Sequence, residues 1–162
     1  MIITGKEGSF IISGDVQPNG VDIQVKNVYR VLDKDINAKV SEEDYVELDI
    51  FTDRETGKKY WIMQPKGAYL FQIDKMDLSR ENTKIPLVGY VVPKSRFCRC
   101  GISVHSALWD VGYVGAGRVL VVNHSSKRHK IFKDMYFGQV VFFEAKNGTM
   151  TYNGSHQNEG LK

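Results

Sequence analysis

The apolar residues of this chain come in short bursts, each cut off by a breaker, and that pattern most constrains what it can fold into. Val21, Ile23 and Val25 alternate with polar neighbours over 21–25, and Phe10-Ile11-Ile12 is a short run closed by Ser13-Gly14. Tyr45 to Ile50 alternates again, as a half-buried strand does when successive side chains point to opposite faces. Turn-rich Asp53-Arg54-Glu55-Thr56-Gly57-Lys58-Lys59 then leads into Tyr60-Trp61-Ile62-Met63, which predicts a hairpin with its tip near Gly57. Further runs fall at 68–73, 87–92, 102–106, 117–123, 139–144 and 149–152. Nothing longer than about three turns carries a clean helical period. The single helix-like piece has Ser95 as its cap, Arg96 to Cys100 as a turn, and Gly101 at its C-terminal end. Many short strands at near-regular spacing predict an all-β barrel or sandwich.

A chain of 162 residues fits one domain, here 1–162, around a single core. No internal repeat or linker divides it. No stretch approaches the roughly 18 consecutive apolar residues of a membrane helix. The start, Met1-Ile2-Ile3-Thr4-Gly5-Lys6-Glu7, has neither a basic region nor a long apolar one, so a cytoplasmic location is expected. A net charge of +3 suits an anionic small ligand but is far from the clustered charge of a duplex-DNA binder. Cys98 and Cys100 lie too close for a disulfide framework and read as reduced thiols near or in the core. The tail from Asn153 to Lys162 is rich in Gly and Asn, so the end of the chain (152–162) either frays or closes over something.

Two stretches carry most of the chemistry. In Pro93-Lys94-Ser95-Arg96-Phe97-Cys98-Arg99-Cys100-Gly101, three cations and a hydroxyl gather on one turn. Free N–H groups at a helix start, with Lys94, Arg96 and Arg99 around them, make a natural phosphate seat. From spacing alone a solvated basic turn is an equal reading. In His105-Ser106-Ala107-Leu108-Trp109-Asp110-Val111-Gly112-Tyr113-Val114-Gly115-Ala116-Gly117, one acid stands among apolar and small residues. Gly112 and Gly115 suit a sharp turn where backbone approaches a ligand. An Asp so placed can align and deprotonate a water once cations relieve the substrate's charge, although Asp-x-Gly is also an ordinary turn.

Taken in order, Gln17-Pro18-Asn19-Gly20-Val21-Asp22, Lys94-Ser95-Arg96-x-x-Arg99-x-Gly101, Trp109-Asp110-x-Gly112-Tyr113-x-Gly115 and Phe137-Gly138-Gln139-Val140-Val141-Phe142 resemble the dUTPase and dCTP deaminase superfamily. The resemblance lies on the side of the archaeal-type dUTPases. It is strong over roughly 86–145, short at 17–23 and poor over 30–85. It implies a twisted β-barrel-like subunit in a homotrimer, with sites shared between subunits, that hydrolyses dUTP to dUMP and pyrophosphate with Mg2+. By the same resemblance Asp110 activates the water and Tyr113 packs on deoxyribose, excluding a 2′-hydroxyl. Lys94, Ser95, Arg96 and Arg99 hold the triphosphate, Gln139 reaches the phosphates, and Asp22 helps hold the magnesium-bound triphosphate through water. Uracil is read largely by backbone around 104–113. Lys94-Ser95-Arg96 departs from the family's Arg-Ser-Ser or Arg-Ser-Gly, and lysine lacks the bidentate fork of arginine. Tyr152 and Gln157 match the closing tail motif loosely, with His156 where an aromatic is common.

The deaminases of this superfamily place a glutamate after the third motif, yet no glutamate occurs from Ala107 to Val141. On the matching strand, Arg118-Val119-Leu120-Val121-Val122, Arg118 is the only ionisable residue. Hydrolysis by Asp110 is therefore favoured over a dCTP deaminase or a bifunctional deaminase-dUTPase. A non-catalytic nucleotide-binding relative is the alternative from another class. Zinc deamination lacks its His-x-Glu and Pro-Cys-x-x-Cys pattern, and no P-loop occurs. Lys127-Arg128-His129-Lys130 reads as a solvated loop rather than a single-strand-binding groove. His124, Trp61, Tyr69 and Phe71 read as packing or surface residues, and Trp109 as either pocket wall or core.

Overall fold

Two four-stranded antiparallel sheets dominate the computed structural model, which describes residues 4–146 and 150–161. In chain order the strands are β1 (Asp15–Gln17), β2 (Gly20–Gln24), β3 (Asn27–Arg30), β4 (Phe51–Thr52), β5 (Lys59–Met63), β6 (Ala68–Gln72) and β7 (Met76–Asp77). There follow β8 (Leu87–Pro93), β9 (Ile102–His105), β10 (Val114–Gly115), β11 (Arg118–Asn123), β12 (His129–Phe132) and β13 (Tyr136–Glu144). The first sheet runs β1-β2-β13-β8 and the second β3-β6-β11-β9, with a three-stranded β12-β5-β4 sheet and a β10-β7 pair beside them. Among the described residues helix is confined to α1 (Gly5–Gly8), α2 (Arg80–Thr83), α3 (Ser95–Arg99) and a 3-10 turn at Glu42–Asp44. None of the described helices is long and apolar enough to cross a membrane. The all-β expectation holds.

The core lies where the two large sheets face each other. Phe71 on β6 meets Phe137 on β13 edge-on, with centroids 5.3 Å apart, and Phe97 of α3 approaches Phe137 from the side at 6.4 Å. Val21, Ile23, Val91, Val119, Val121, Val140 and Phe142 fill the remaining volume from alternating strand positions. Trp61, Tyr69 and Phe71 are buried packing residues, and His124 is exposed. The hairpin forms as predicted. Phe51 pairs with Tyr60, the Asp53 N–H bonds to the Lys58 carbonyl at 2.9 Å, and Gly57 takes a φ of 69° at the tip. Glycine adopts that left-handed conformation without steric penalty.

Five expectations need correction. Phe10-Ile11-Ile12 is not a strand, because the capping box of Thr4 and Glu7 starts α1 just before it. Ile11 and Ile12 are still buried, as a turn packed into the core. Tyr45 to Ile50 pairs with β3 only through an isolated bridge between Tyr29 and Glu47, which leaves Val46 and Ile50 exposed. In α3, Lys94 rather than Ser95 is the N-cap, since Lys94 is still extended at ψ 140° and Ser95 is the first helical residue. Gly101 closes the turn at φ 73° as expected. Cys98 and Cys100 are both exposed, because a helical turn this short buries only Phe97 and aims its neighbours outward. Of the run predicted over 149–152, Thr149 lies outside the described residues, as do Met1 to Ile3 at the start, and Met150 to Tyr152 form no strand.

Candidate active site

The predicted residues gather in two places. The first is the cation end of the β2-β13-β8 sheet. Register sets Gln139 on β13 directly across from Asp22 on β2, and Gly138 across from Pro93 on β8. Asp22 is a buried acid, only 4% exposed, and both of its oxygens are engaged. The Lys94 ammonium bonds to Oδ2, and the Gln139 amide donates to Oδ1 at 3.3 Å. Lys94 also lies 5.7 Å from the centre of the Tyr136 ring. Gly20 is needed beside this acid, because a Cβ there would meet the Val140 carbonyl at 2.3 Å. Ser95, Arg96 and Arg99 follow on α3, exposed and without an ion pair among the described residues. Buried charge is tolerated only when paired, so Lys94 stabilises Asp22 while the two arginines remain free to meet an anion.

The second place is the turn from Trp109 to Gly117 with the chain's tail laid against it. Trp109 and Gly89 exchange two backbone hydrogen bonds of 2.9 Å, which ties the turn to β8. The Gly112 N–H bonds to the Leu78 carbonyl at 2.9 Å, and its φ of 87° makes the sharp reversal anticipated for this glycine. Asp110 is exposed on this turn and Tyr113 is buried, its ring 6.3 Å from Trp109 and 5.9 Å from Tyr152. The tail closes over the turn instead of fraying. The Tyr152 N–H reaches the Val111 carbonyl at 2.7 Å, and the Asn158 N–H the Val114 carbonyl at 2.7 Å. Gln157 spends its whole carboxamide on the same backbone. Its amide donates to the Gly112 carbonyl at 2.9 Å, and its oxygen accepts from the Val114 N–H at 3.0 Å.

Between turn and tail lies a cavity of about 380 Å³, lined among others by Asp110, Tyr113, Arg118, Tyr152, His156 and Glu159. That is the size at which small-molecule sites begin. Trp109 both lines this cavity and belongs to the core, so its two readings are the same position seen from two sides.

Arg118, Glu159 and Glu42 were not singled out for the site by the sequence, yet they organise its floor. Arg118 donates to both Glu42 oxygens, at 2.8 and 3.3 Å, and lies 3.6 Å from Glu159. The Tyr113 hydroxyl donates to Glu159 at 2.8 Å. Burial, and next the Glu159 charge, push the Tyr113 phenol well above its ordinary value. Burial also raises the Glu159 carboxyl, against the opposing pull of the Tyr113 hydrogen bond and of the His156 and Arg118 charges. One signal was available, since Arg118 interrupts an otherwise apolar strand. Nothing local marked Glu42, which lies 76 residues from Arg118 in sequence.

The two places stay separate within one chain. Among the described residues no hydrogen bond or ion pair joins Asp22, Lys94 or Gln139 to Asp110 or Tyr113. Both are strung on β8, the turn through Gly89 and the cation end through Pro93, four residues further along the strand.

Comparison with known proteins joins these observations. The model of a dCTP deaminase-like family matches residues 6–145. A probable deoxyuridine 5'-triphosphate nucleotidohydrolase of Methanosarcina barkeri is 28% identical over 161 residues, covering 96% of this chain and 88% of that protein. A protein of the same description from Halobacterium salinarum is 30% identical over 152 residues, covering 92% and 87%. Among solved structures, the 2'-deoxycytidine 5'-triphosphate deaminase of Agrobacterium tumefaciens superposes with a TM-score of 0.63 at 14% identity. That match covers 89% of this chain and 48% of the deaminase chain, so this chain spans about half its length, and the likeness is one of fold. With that family model matching residues 6–145, the chain belongs to the dUTPase and dCTP deaminase superfamily, through a dCTP deaminase-like domain.

Proposed function

We propose that this chain hydrolyses dUTP to dUMP and pyrophosphate. The observation that carries the reading is Asp110, an exposed acid at the rim of an aromatic-walled cavity, in a stretch from Ala107 to Val141 that holds no glutamate. The archaeal relatives described as probable deoxyuridine 5'-triphosphate nucleotidohydrolases support the same substrate. Asp110 holds a water and accepts its proton as the oxygen attacks the α-phosphorus, and pyrophosphate leaves from the opposite side. Lys94, Ser95, Arg96 and Arg99 meet the triphosphate, and Gln139 adds an amide donor at its edge. Tyr113 forms the wall against the deoxyribose, and Tyr152 packs on that wall from the tail.

The residues at the cation end fit magnesium of a particular kind. No group of three or more His, Cys, Asp or Glu among the described residues forms a protein cage for a metal. Asp22 is buried with its oxygens on Lys94 and Gln139, so an ion there would be coordinated mainly by phosphate oxygens and waters, and Asp22 would reach it only through water as one of those partners turned to the phosphates. Magnesium there would neutralise charge on the triphosphate, with Asp22 holding it through water.

A homotrimer completes the arrangement. The turn and the cation end share no hydrogen bond or ion pair within one chain among the described residues, which supports sites assembled from the turn of one subunit and the cation end of another. Exposed Val16, Val46, Ile50, Phe51 and Leu108 supply apolar surface for such contacts.

Pyrophosphate and ammonia release should be measured from dUTP, dCTP and UTP, each with magnesium and with a chelator. Pyrophosphate from dUTP alone, lost on chelation, is expected. Ammonia from dCTP would replace hydrolysis with deamination, and dUTP binding without any product would move the chain to a non-catalytic role. Replacing Tyr113 with Ala removes the sugar wall, and the ratio of kcat/KM for dUTP over UTP should fall by about tenfold or more, as loss of a shaped contact worth about 1–3 kcal/mol implies. An unchanged ratio would remove that role from Tyr113.

A further inference from the structure

The Tyr113 hydroxyl ends on a carboxylate delivered by the tail, 46 residues further along the chain. That carboxylate belongs to a largely covered chain of contacts running back to a segment far from every recognised motif. The Arg118 guanidinium, its side chain 5% exposed, lies 3.7 Å from the centre of the Tyr45 ring and 4.8 Å from that of Tyr29, two rings set edge to face. Its two terminal nitrogens bind Glu42 in the 3-10 turn, and one of them also faces Glu159 at 3.6 Å. The tail is held to the same anchor a second time, because the Gly160 N–H donates to Glu42 at 3.3 Å. The Glu159 carbonyl meanwhile accepts the Ala116 N–H at 2.8 Å, on the strand side of the turn.

Burying a carboxylate is costly unless charge and hydrogen bonds compensate it, and this one is compensated from both sides. A tail that only needed to cover apolar surface would gain more from an aliphatic residue at this position. The Tyr113 ring is 2% exposed and packs on Trp109 and Tyr152 at centroid distances of 6.3 and 5.9 Å, so its hydroxyl is carried into the interior and needs a partner there. The Glu159 carboxylate is that partner, and the bond ties the ring's far end to the tail.

We propose that Glu159 is a positioning residue of the nucleotide site: held by Arg118 and Glu42, it fixes the Tyr113 ring, so that tail docking and the setting of the sugar-facing wall are one event. The inference rests on the reading of Tyr113 as that wall. It assigns a role to residues 29–45, which carry no motif, as the anchor of the anchor. Glu159 touches no reacting atom, and its effect passes through Tyr113.

The test uses the full chain and equilibrium affinities for the α,β-imido analogues of dUTP and UTP, which do not depend on turnover. Four variants are compared with the unaltered chain: Tyr113→Phe, Glu159→Ala, Glu159→Gln, and Tyr113→Phe combined with Glu159→Ala. Tyr113→Phe and Glu159→Ala should each reduce the deoxy-over-ribo affinity ratio by about tenfold, the scale of one hydrogen bond to a charged group. The double variant should be no worse than either single one, as expected for two ends of one bond. Glu159→Gln, whose amide oxygen still accepts from the phenol, should recover most of the ratio. Additive losses in the double variant, a Gln variant as impaired as the Ala one, or an unchanged ratio would each overturn the proposal. Should the unaltered chain show the deoxy preference yet release no pyrophosphate, hydrolysis would fall while the positioning role stood. A chain that binds dUTP but shows no preference for the deoxy analogue would remove the wall and Glu159's role together.

Discussion

Asp110→Asn is expected to lower pyrophosphate release from dUTP by about 10²–10⁴-fold, the contribution of a positioned general base, and to leave binding of a non-hydrolysable analogue nearly unchanged. Asparagine keeps the size and the hydrogen-bonding reach of the side chain but can no longer accept the water's proton. Asp110 is also exposed and makes no side-chain hydrogen bond among the described residues, so the substitution removes no support from the fold. Its backbone carbonyl still accepts from the Tyr113 N–H at 3.1 Å, and that bond survives the change. Single-turnover release measured beside calorimetric affinity separates the two effects. Full activity in the variant would end the mechanism. A parallel loss of affinity would instead make Asp110 a binding residue.

Trp109→Ala should cost about 3–5 kcal/mol of folding stability, the range for removing a large aromatic from a core. The indole is 7% exposed, rests on Tyr113, and packs so closely on Gly117 that a Cβ there would meet its Nε1 at 2.7 Å. Its backbone holds the turn to Gly89. Losing the side chain therefore weakens the core and loosens the turn that presents Asp110. Chemical denaturation should show the lower midpoint, and activity should fall even where the variant is folded. A shift smaller than about 1 kcal/mol, within the scatter of ordinary surface changes, would show that Trp109 is not a core residue.

Much of the architecture was legible because it is written in local pattern. Period-two alternation, frequent breakers and the lack of helical period led to an all-β chain, and Gly57 and Gly101 marked a hairpin tip and a helix end where a positive φ is required. Local pattern failed where burial did not follow it. Ile11 and Ile12 are core residues without being strand residues, because a capped turn just upstream redirects the backbone. Cys98 and Cys100 looked apolar enough for the interior, yet a five-residue helix has room to bury only Phe97. On β2 even Asp22 is inside, since that strand is covered on both faces and alternation no longer separates core from solvent.

The order and identity of the motifs sufficed to name the superfamily and to nominate Asp110 and the cations of α3 for its site, because such motifs depend on residue type and short spacing. Which groups meet was decided only by the tertiary structure. Asp22 finds Lys94 and Gln139 across 72 and 117 residues, through the strand register of β2, β13 and β8. Arg118 finds Glu42 across 76 residues, and Gly160 finds it across 118. Such pairs are set by how sheets align and by what the tail can cover, and no window of sequence contains both partners. The physical reason is that a buried charge is stabilised by whichever group the fold brings to it, however far away that group lies along the chain.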